Sequence, residues 1–332
     1  MPESTVAGRC RIDLRDRAEE IVRAASRAPS LHNAQPWAFR VRPAEVEVYA
    51  DRDRRVPVVD PEDRQLMIGV GAAVLGVRLA LARLGLRPVV RLAREPARPD
   101  LAAVVAAVDT AETDEDRELY AQLERRRTVR GPFTDDAVPV PLQVRLTGTA
   151  RWEGVTPRWL VQRDDRRALA ALVLAGEREQ RSDPRYRAEL AYWTGPEVVA
   201  RGAGIPAAGA HDDAVLAGSG VPFVLRDFSG GGRTAARPEA HPGILLLTTP
   251  ADRRADWLRT GQALHHLLLV ATAAGYAASY LNQPLELPDL RSRVRTELRL
   301  PGHPQLVLRL GRPAGPLPPA TPRLAIRDVL RP

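Results

Sequence analysis

The sequence has no lysine; all 49 of its basic residues are arginine. A Schiff-base mechanism and a phosphate-binding P-loop both require a lysine, so both are excluded. A single cysteine, Cys10, excludes an internal disulfide and any metal site built from several thiolates. No His-Glu-x-x-His pattern or Cys/His spacing offers a metal another way in. There is no Gly-x-Ser-x-Gly elbow of an α/β-hydrolase, and no Gly-x-Gly-x-x-Gly follows a strand pattern; Gly230-Gly231-Gly232 lacks that context. Long apolar runs are also missing. The most apolar stretches, 66–86 and 264–280, are interrupted by Arg78 and Arg83 and by His265-His266, so neither reads as a membrane span. Glu3, Arg9 and Arg11 occupy the N-terminal stretch where a signal peptide would be apolar. A soluble, cytoplasmic protein is expected, with no membrane partner.

What is present describes a globular chain. Its 332 residues suggest about two domains, and 44% apolar with 27% charged residues is far from the composition of a disordered protein. The net charge of +8 is spread among acids, as in Asp51-Arg52-Asp53-Arg54-Arg55, which argues against a nucleic-acid surface. Arginine presents a planar fork that suits carboxylate and phosphate, so small acidic molecules are the favoured partners.

Helical spacing over 13–28, behind an Asp13 cap, ends at Pro29. Strands are expected at Trp37–Val41, Val46–Tyr49, Val89–Leu92 and Ala102–Val108, with a long apolar helix over 62–85 between the two pairs. The acidic stretch 109–118 marks a boundary, giving halves 1–112 and 113–332. Beyond it the patterns predict a helix running to about Arg127, a strand at Leu160–Gln162, and a helix over 165–181. A strand at Gly243–Thr248, a second long helix over 252–274 and a closing strand at Gln305–Leu310 follow. Residues 194–240 are rich in Gly, Ala and Pro and are expected to be a lid; His211-Asp212-Asp213 within them reads as a solvated turn. The tail 313–322 is proline-rich and expected to lie extended on the surface. The long helices share Gly71/Gly261, Ala73/Ala263, Leu79/Leu269 and Gly85/Gly275, all offset by the same interval. That points to two related α+β halves.

Three clusters suit a phosphorylated aromatic ligand. Arg125-Arg126-Arg127-Thr128-Val129-Arg130 offers guanidinium groups and a hydroxyl fitted to a phosphate dianion. In Pro29-Ser30-Leu31-His32-Asn33-Ala34-Gln35-Pro36-Trp37, two prolines stiffen a loop whose Ser, Asn and Gln can both donate and accept, as a heteroaromatic edge requires. Gly275 to Pro284 carries Tyr280 as a stacking platform and backbone groups of Leu281, Asn282 and Gln283 that could face a ligand. Taken singly, each reads more simply as ordinary structure: a solvated basic helix end, a helix-stop turn with Trp37 in the core, and a helix–strand turn. His265 and His266 read as core or pocket-edge residues.

Together the clusters resemble the nitroreductase superfamily of FMN-binding flavoproteins. Ala28 to Trp37 is similar to its Ala-Pro-Ser-x-x-Asn-x-Gln-Pro-Trp motif, and Arg126 to Phe133 resembles its Arg-Arg-Ser-x-Arg-x-Phe, with Thr128 in place of Ser. Here the loop precedes the arginine motif, the reverse of ordinary members. That order resembles the actinobacterial Acg-type members, in which two family domains are fused. The resemblance implies a nitroreductase-like α+β fold, with tandem domains forming an intramolecular pseudo-dimer that needs no second chain. It also implies FMN, with NAD(P)H as the electron donor. The first half has no arginine motif before residue 25, and the second has no further Pro-Ser-x-x-Asn loop. Only one pocket can therefore be complete, and one FMN per chain is expected. Arg126, Arg127, Thr128, Arg130 and Arg323 would hold the phosphate. Ser30, Asn33 and Gln35, within the Pro29–Trp37 loop, would address the ring edge or ribityl chain. Asn282 and Gln283 would approach the reactive edge. No protein side chain is expected to act as acid or base, because the cofactor carries the chemistry. The activity implied is reduction of a nitroaromatic, quinone-like or other small acceptor; a non-catalytic store with its flavin under the lid is the alternative.

Overall fold

Two long apolar helices form the centre of the molecule. In this computed structural model, describing residues 12–93, 97–109, 113–206, 215–218, 221–224, 226, 228 and 242–332, a short turn at Leu14–Arg17 capped by Asp13 leads into α1 (Ala18–Ala25). The first half then runs β1 (Trp37–Val41), β2 (Glu45–Ala50), α2 (Arg64–Arg83), β3 (Leu86–Leu92) and β4 (Leu101–Asp109). After α3 (Asp114–Gln122) and α4 (Val140–Trp152) come β5 (Thr156–Trp159), α5 (Arg163–Ser182), α6 (Pro184–Thr194), α7 (Pro196–Ala200) and the hairpin β6 (Val215–Gly218) and β7 (Val221–Val224). The chain closes with β8 (Gly243–Thr249), α8 (Arg254–Ala273), β9 (Ala277–Tyr280), α9 (Pro288–Glu297), β10 (His303–Gly311) and α10 (Ile326–Val329).

Both main sheets are antiparallel and wound alike, β1-β2-β4-β3 and β5-β8-β10-β9, each with its long helix between the second and third strands in sequence. Both helices end at a glycine in the left-handed region, Gly85 at φ 74° and Gly275 at φ 79°, which lets the chain reverse into the next strand. α2 is long and apolar enough to cross a membrane by length and composition, but it is almost wholly buried against α8 and the sheets. One hydrophobic core draws on both halves, with Val48, Val70 and Val105 packed in the same cluster as Leu245, Leu264 and Leu308. The helices touch backbone to backbone. A Cβ on Gly71 would lie 2.1 Å from the carbonyl oxygen of Leu258, and one on Gly261 would lie 1.9 Å from that of Ile68.

The tail couples the halves again. Past β10 it crosses to the first half, where Leu330 bridges Phe39 and the Arg331 amide donates to the Phe39 carbonyl at 2.6 Å. Two expectations need correction. The expected strand at 160–162 is β5, which ends at Trp159; Leu160 makes one last bond to β8 and residues 161–162 lead into α5. The helix expected to reach Arg127 stops at Gln122, because the chain beyond turns to pair with β9. Helices α4, α6 and α9 were not anticipated; each carries a proline in its first turn and a largely polar sequence that masks its periodicity. Cys10, His211-Asp212-Asp213 and Gly230-Gly231-Gly232 lie outside the described residues, as does much of the expected lid.

Candidate functional site

The arginine segment is a strand extension, not a helix end. Thr128 forms a bridge with Ala278, and the Val129 amide donates to the Ala278 carbonyl at 3.0 Å, so residues 126–130 run along the outer edge of β9. A residue the sequence reading passed over holds the turn. Arg309 on β10 is fully buried; its Nε donates to Ser279 Oγ at 2.9 Å, its Nη2 to the Gly131 carbonyl at 2.7 Å, and its guanidinium lies 4.2 Å from the Phe133 ring centroid. Its signal was available: an arginine in the apolar run Leu306-Val307-Leu308-Arg309-Leu310 must have a buried partner.

Opposite this turn stands the loop of the first half. His32, Asn33 and Gln35 have positive φ (49°, 56° and 53°), a conformation side chains resist unless their surroundings impose it. Between loop, turn and β9 lies a cavity of about 1280 Å³ including its open mouth. Of the expected residues, Pro29, Ser30, Asn33, Arg126, Arg127, Thr128, Arg130, Tyr280, Asn282, Gln283 and Arg323 border it. Three clusters scattered through the sequence thus meet at one place.

Four expected residues stand elsewhere. Trp37 is fully buried in the main core and Leu281 in the core of the second sheet. Pro36 packs near Gly69 of α2. Gln35 is fully buried, donating to the Gly202 carbonyl at 2.7 Å and accepting from the Leu324 amide at 3.1 Å, so neither end is available to a ligand. Several bordering side chains also serve the protein first. Ser30 Oγ accepts from the Gln35 amide at 3.0 Å, and Asn282 Oδ1 accepts from the Val307 amide at 2.9 Å. Tyr280 borders the cavity beside Thr128, with Arg126 and Arg130 acting on its hydroxyl. Burial pushes its pKa up, and the two guanidinium groups oppose that.

The electrostatics of the cavity are one-sided. Among the described residues its lining contains five arginines (Arg126, Arg127, Arg130, Arg226 and Arg323) and one carboxylate, Glu286, which is ion-paired to Arg226. Burial pushes Arg130 down to about 10, with Arg226 adding to the effect, and burial with Arg126, Arg27 and Arg127 pushes Arg323 down to about 9. Guanidinium groups keep their proton throughout the folded range, so these shifts reflect first the removal of charge from water and then the crowding of neighbouring arginines. Arg126 is only 7% exposed, and among the described residues its Nε and Nη1 have no hydrogen-bond partner. Such a group needs an anion.

Residues of the 194–240 segment complete one wall. Ile205, Arg226 and Phe228 border the cavity; the Phe228 ring centroid lies 4.6 Å from the Arg130 guanidinium and 6.1 Å from the His32 ring. Burial, Arg226 and Arg130 together hold His32 well below the ordinary histidine value. Glu286 also accepts from Gln180 at 2.7 Å and from Gln65 at 3.2 Å, forming a buried network with Arg226. None of Arg226, Phe228, Glu286 or Gln65 was singled out from the sequence; each is polar or aromatic with no local motif around it.

His265 sits behind the site on α8, fully buried, with Nδ1 bonded to the Ala72 carbonyl at 2.7 Å. Burial and then Arg126 depress its pKa to about 3 from an ordinary 6.5. The folded protein therefore keeps it neutral where the unfolded chain binds a proton. Stability should be intact above pH ~6.5 and fall by about 1.4 kcal/mol per pH unit from this group as pH drops towards 3. Denaturant unfolding at several pH values should show that slope reduced in His265→Gln; an unchanged slope would remove His265 from the account.

The scaffold is α+β, two like-wound sheets with an arginine-lined cavity where their loops meet. The model of the Nitroreductase family matches residues 123–312. A Mycobacterium tuberculosis protein named "Putative NAD(P)H nitroreductase acg" is 35% identical over 329 residues, covering 95% of each chain. The chain belongs to the nitroreductase family. Among solved structures, the FMN-dependent nitroreductase NfnB of Mycobacterium smegmatis, in complex with NADPH, is similar with a TM-score of 0.39 and 17% identity, over 66% of this chain and 99% of that one. An FMN-bound nitroreductase of Desulfitobacterium hafniense gives 0.40 and 13%, over 62% and 94%. Membership rests on the sequence matches.

Proposed function

We propose that this protein is an FMN-dependent oxidoreductase that holds one flavin per chain at the seam of two fused family domains. The activity would be hydride transfer from NADH or NADPH to a nitroaromatic, quinone-like or other small acceptor. The observation that carries the reading is Arg126: a buried guanidinium whose Nε and Nη1 lack an acceptor among the described residues, at the head of a cavity completed by the other half's loop. A phosphate dianion satisfies those donors and offsets the excess of arginine.

Arg126, Arg127, Arg130 and Thr128 would hold the phosphate. Ser30 and the backbone of the 30–33 loop would meet the ribityl chain or ring edge, and Asn282 and Gln283 the far edge. FMN supplies the hydride acceptance and donation; the protein orients it, and its apolar lining of Ile68, Leu264 and Leu306 keeps water from that wall. No side chain is assigned as acid or base. Relatives named for NAD(P)H nitroreductase activity favour the enzyme over a flavin store.

The strand registers support a single flavin. In the second half Ser279 pairs with Arg309 and Tyr280 with Leu308, whereas the corresponding pairs in the first half are Val89 with Ala106 and Val90 with Val105. Nothing at those apolar positions could organise an arginine turn, and among the described residues no segment pairs with the outer edge of β3. Purified protein should show the oxidised-flavin spectrum at one FMN per chain and bleach within seconds when mixed anaerobically with NADH or NADPH. A colourless preparation that takes up no FMN would overturn the proposal; two flavins per chain would overturn the one-sided site.

A further inference from the structure

Arg323 borders the cavity, yet its hydrogen bonds run into the protein. Its Nε donates to the Ser26 carbonyl at 2.7 Å and its Nη2 reaches the Arg27 carbonyl at 3.4 Å, at the C-terminal end of α1, where a cation also meets the negative end of the helix. Its Nη1 donates to Asn33 Oδ1 at 3.0 Å and to Thr321 Oγ1 at 2.5 Å. Asn33 in turn donates through Nδ2 to the carbonyls of Gly204 at 3.1 Å and Pro322 at 3.0 Å. Gln35 repeats the pattern on the other side, tying Gly202 to Leu324. Three distant stretches, 30–35, 202–204 and 321–324, are thus knotted around one guanidinium, and the knot encloses the three residues of positive φ.

We infer that Arg323 is a positioning residue, a clasp by which the C-terminal tail forces the 30–35 loop into its ligand-binding conformation, and not a phosphate ligand. This rests on the flavin reading above. Three of its five N–H groups are committed within 3.0 Å to carbonyl, amide and hydroxyl oxygens of the protein, and the loop it holds does not relax into an unstrained shape while they remain. Arg126, whose buried Nε and Nη1 carry three N–H groups without a partner among the described residues, is the contrasting case.

Riboflavin separates the roles, because it has the ring and ribityl chain without the phosphate. Dissociation constants for FMN and riboflavin are measured by flavin fluorescence on wild type, Arg323→Gln and Arg323→Lys. Amide hydrogen exchange of residues 30–36 is followed in each. A clasp predicts that Arg323→Gln weakens both ligands by the same factor, about tenfold or more, and speeds exchange in the loop. It also predicts that lysine does not rescue, since an ammonium cannot span the forked acceptors. Loss confined to FMN, rescue by lysine, or unchanged exchange would each overturn the inference. If the glutamine variant does not fold, the lysine variant alone decides by the same readouts. A wild type that binds neither flavin refutes the flavin reading, while the exchange measurement still tests the clasp.

Discussion

Gly261→Ala should be the most damaging single-methyl change in the molecule, costing at least about 3 kcal/mol and leaving little folded protein. The added Cβ would sit 1.9 Å from the carbonyl oxygen of Ile68, 2.6 Å from the amide of Ala72 and 2.8 Å from the Cα of Gly71. All three are backbone atoms of α2, so no side chain can swing away and one helix must move. Both helices lie at the centre of the core shared by the two sheets, so a shift there opens contacts throughout. Overpacking in a closed core typically costs ~1–3 kcal/mol, and more where backbone must move. Gly71→Ala should behave alike, its Cβ lying 2.1 Å from the Leu258 carbonyl oxygen. Gly148 on α4 is the control, for a Cβ there meets nothing within 4 Å. Alanine at 148 should stabilise by up to about 1 kcal/mol through helix propensity alone. Thermal unfolding of the three variants decides the matter; a wild-type melting point for Gly261→Ala would mean that the helices do not cross as described.

The recurrence of small residues in the two long helices made that crossing legible in sequence, and alternating apolar patterns gave most strands of both sheets. The halves share one winding because each sets its long helix between two pairs of sheet strands, and periodicity reports such elements well. In the second half, however, α5, α6, α7 and the β6–β7 hairpin separate β5 from β8. The site was legible in a different way. Each cluster was ambiguous alone, and only their joint resemblance to a known pattern brought them together. What could not be read were partnerships made by tertiary placement. Asn33 and Gln35 carry the hydrogen-bonding capacity a ring edge needs, yet the tail and the 202–204 stretch use it. Arg323 ends with the right motif and serves as a tie. Arg309, absent from every motif, organises the arginine turn from the strand behind it. Sequence spacing reports which side chains could meet a ligand, and the fold decides which have already been taken.

Arg126→Met should separate stability from binding with opposite signs. In the ligand-free protein its guanidinium is buried, its Nε and Nη1 are unsatisfied among the described residues, and burial together with Arg127 presses its pKa down. Removing an uncompensated buried charge while keeping an apolar stem of similar length relieves that penalty, so the flavin-free variant should be as stable as wild type or more so. Binding should move the other way. A hydrogen bond to a charged group is worth about 1.5–3 kcal/mol, so losing two from the phosphate should weaken FMN by about 100-fold or more. Riboflavin, which has no phosphate, should change by less than about threefold. The same contrast appears in unfolding experiments: wild type gains about 2.7 kcal/mol when FMN is present at 100 times its dissociation constant, and the variant at that concentration should gain less than half as much. A variant that binds FMN like wild type, or that loses riboflavin equally, would mean the phosphate is held elsewhere and the arginine cluster serves another anion.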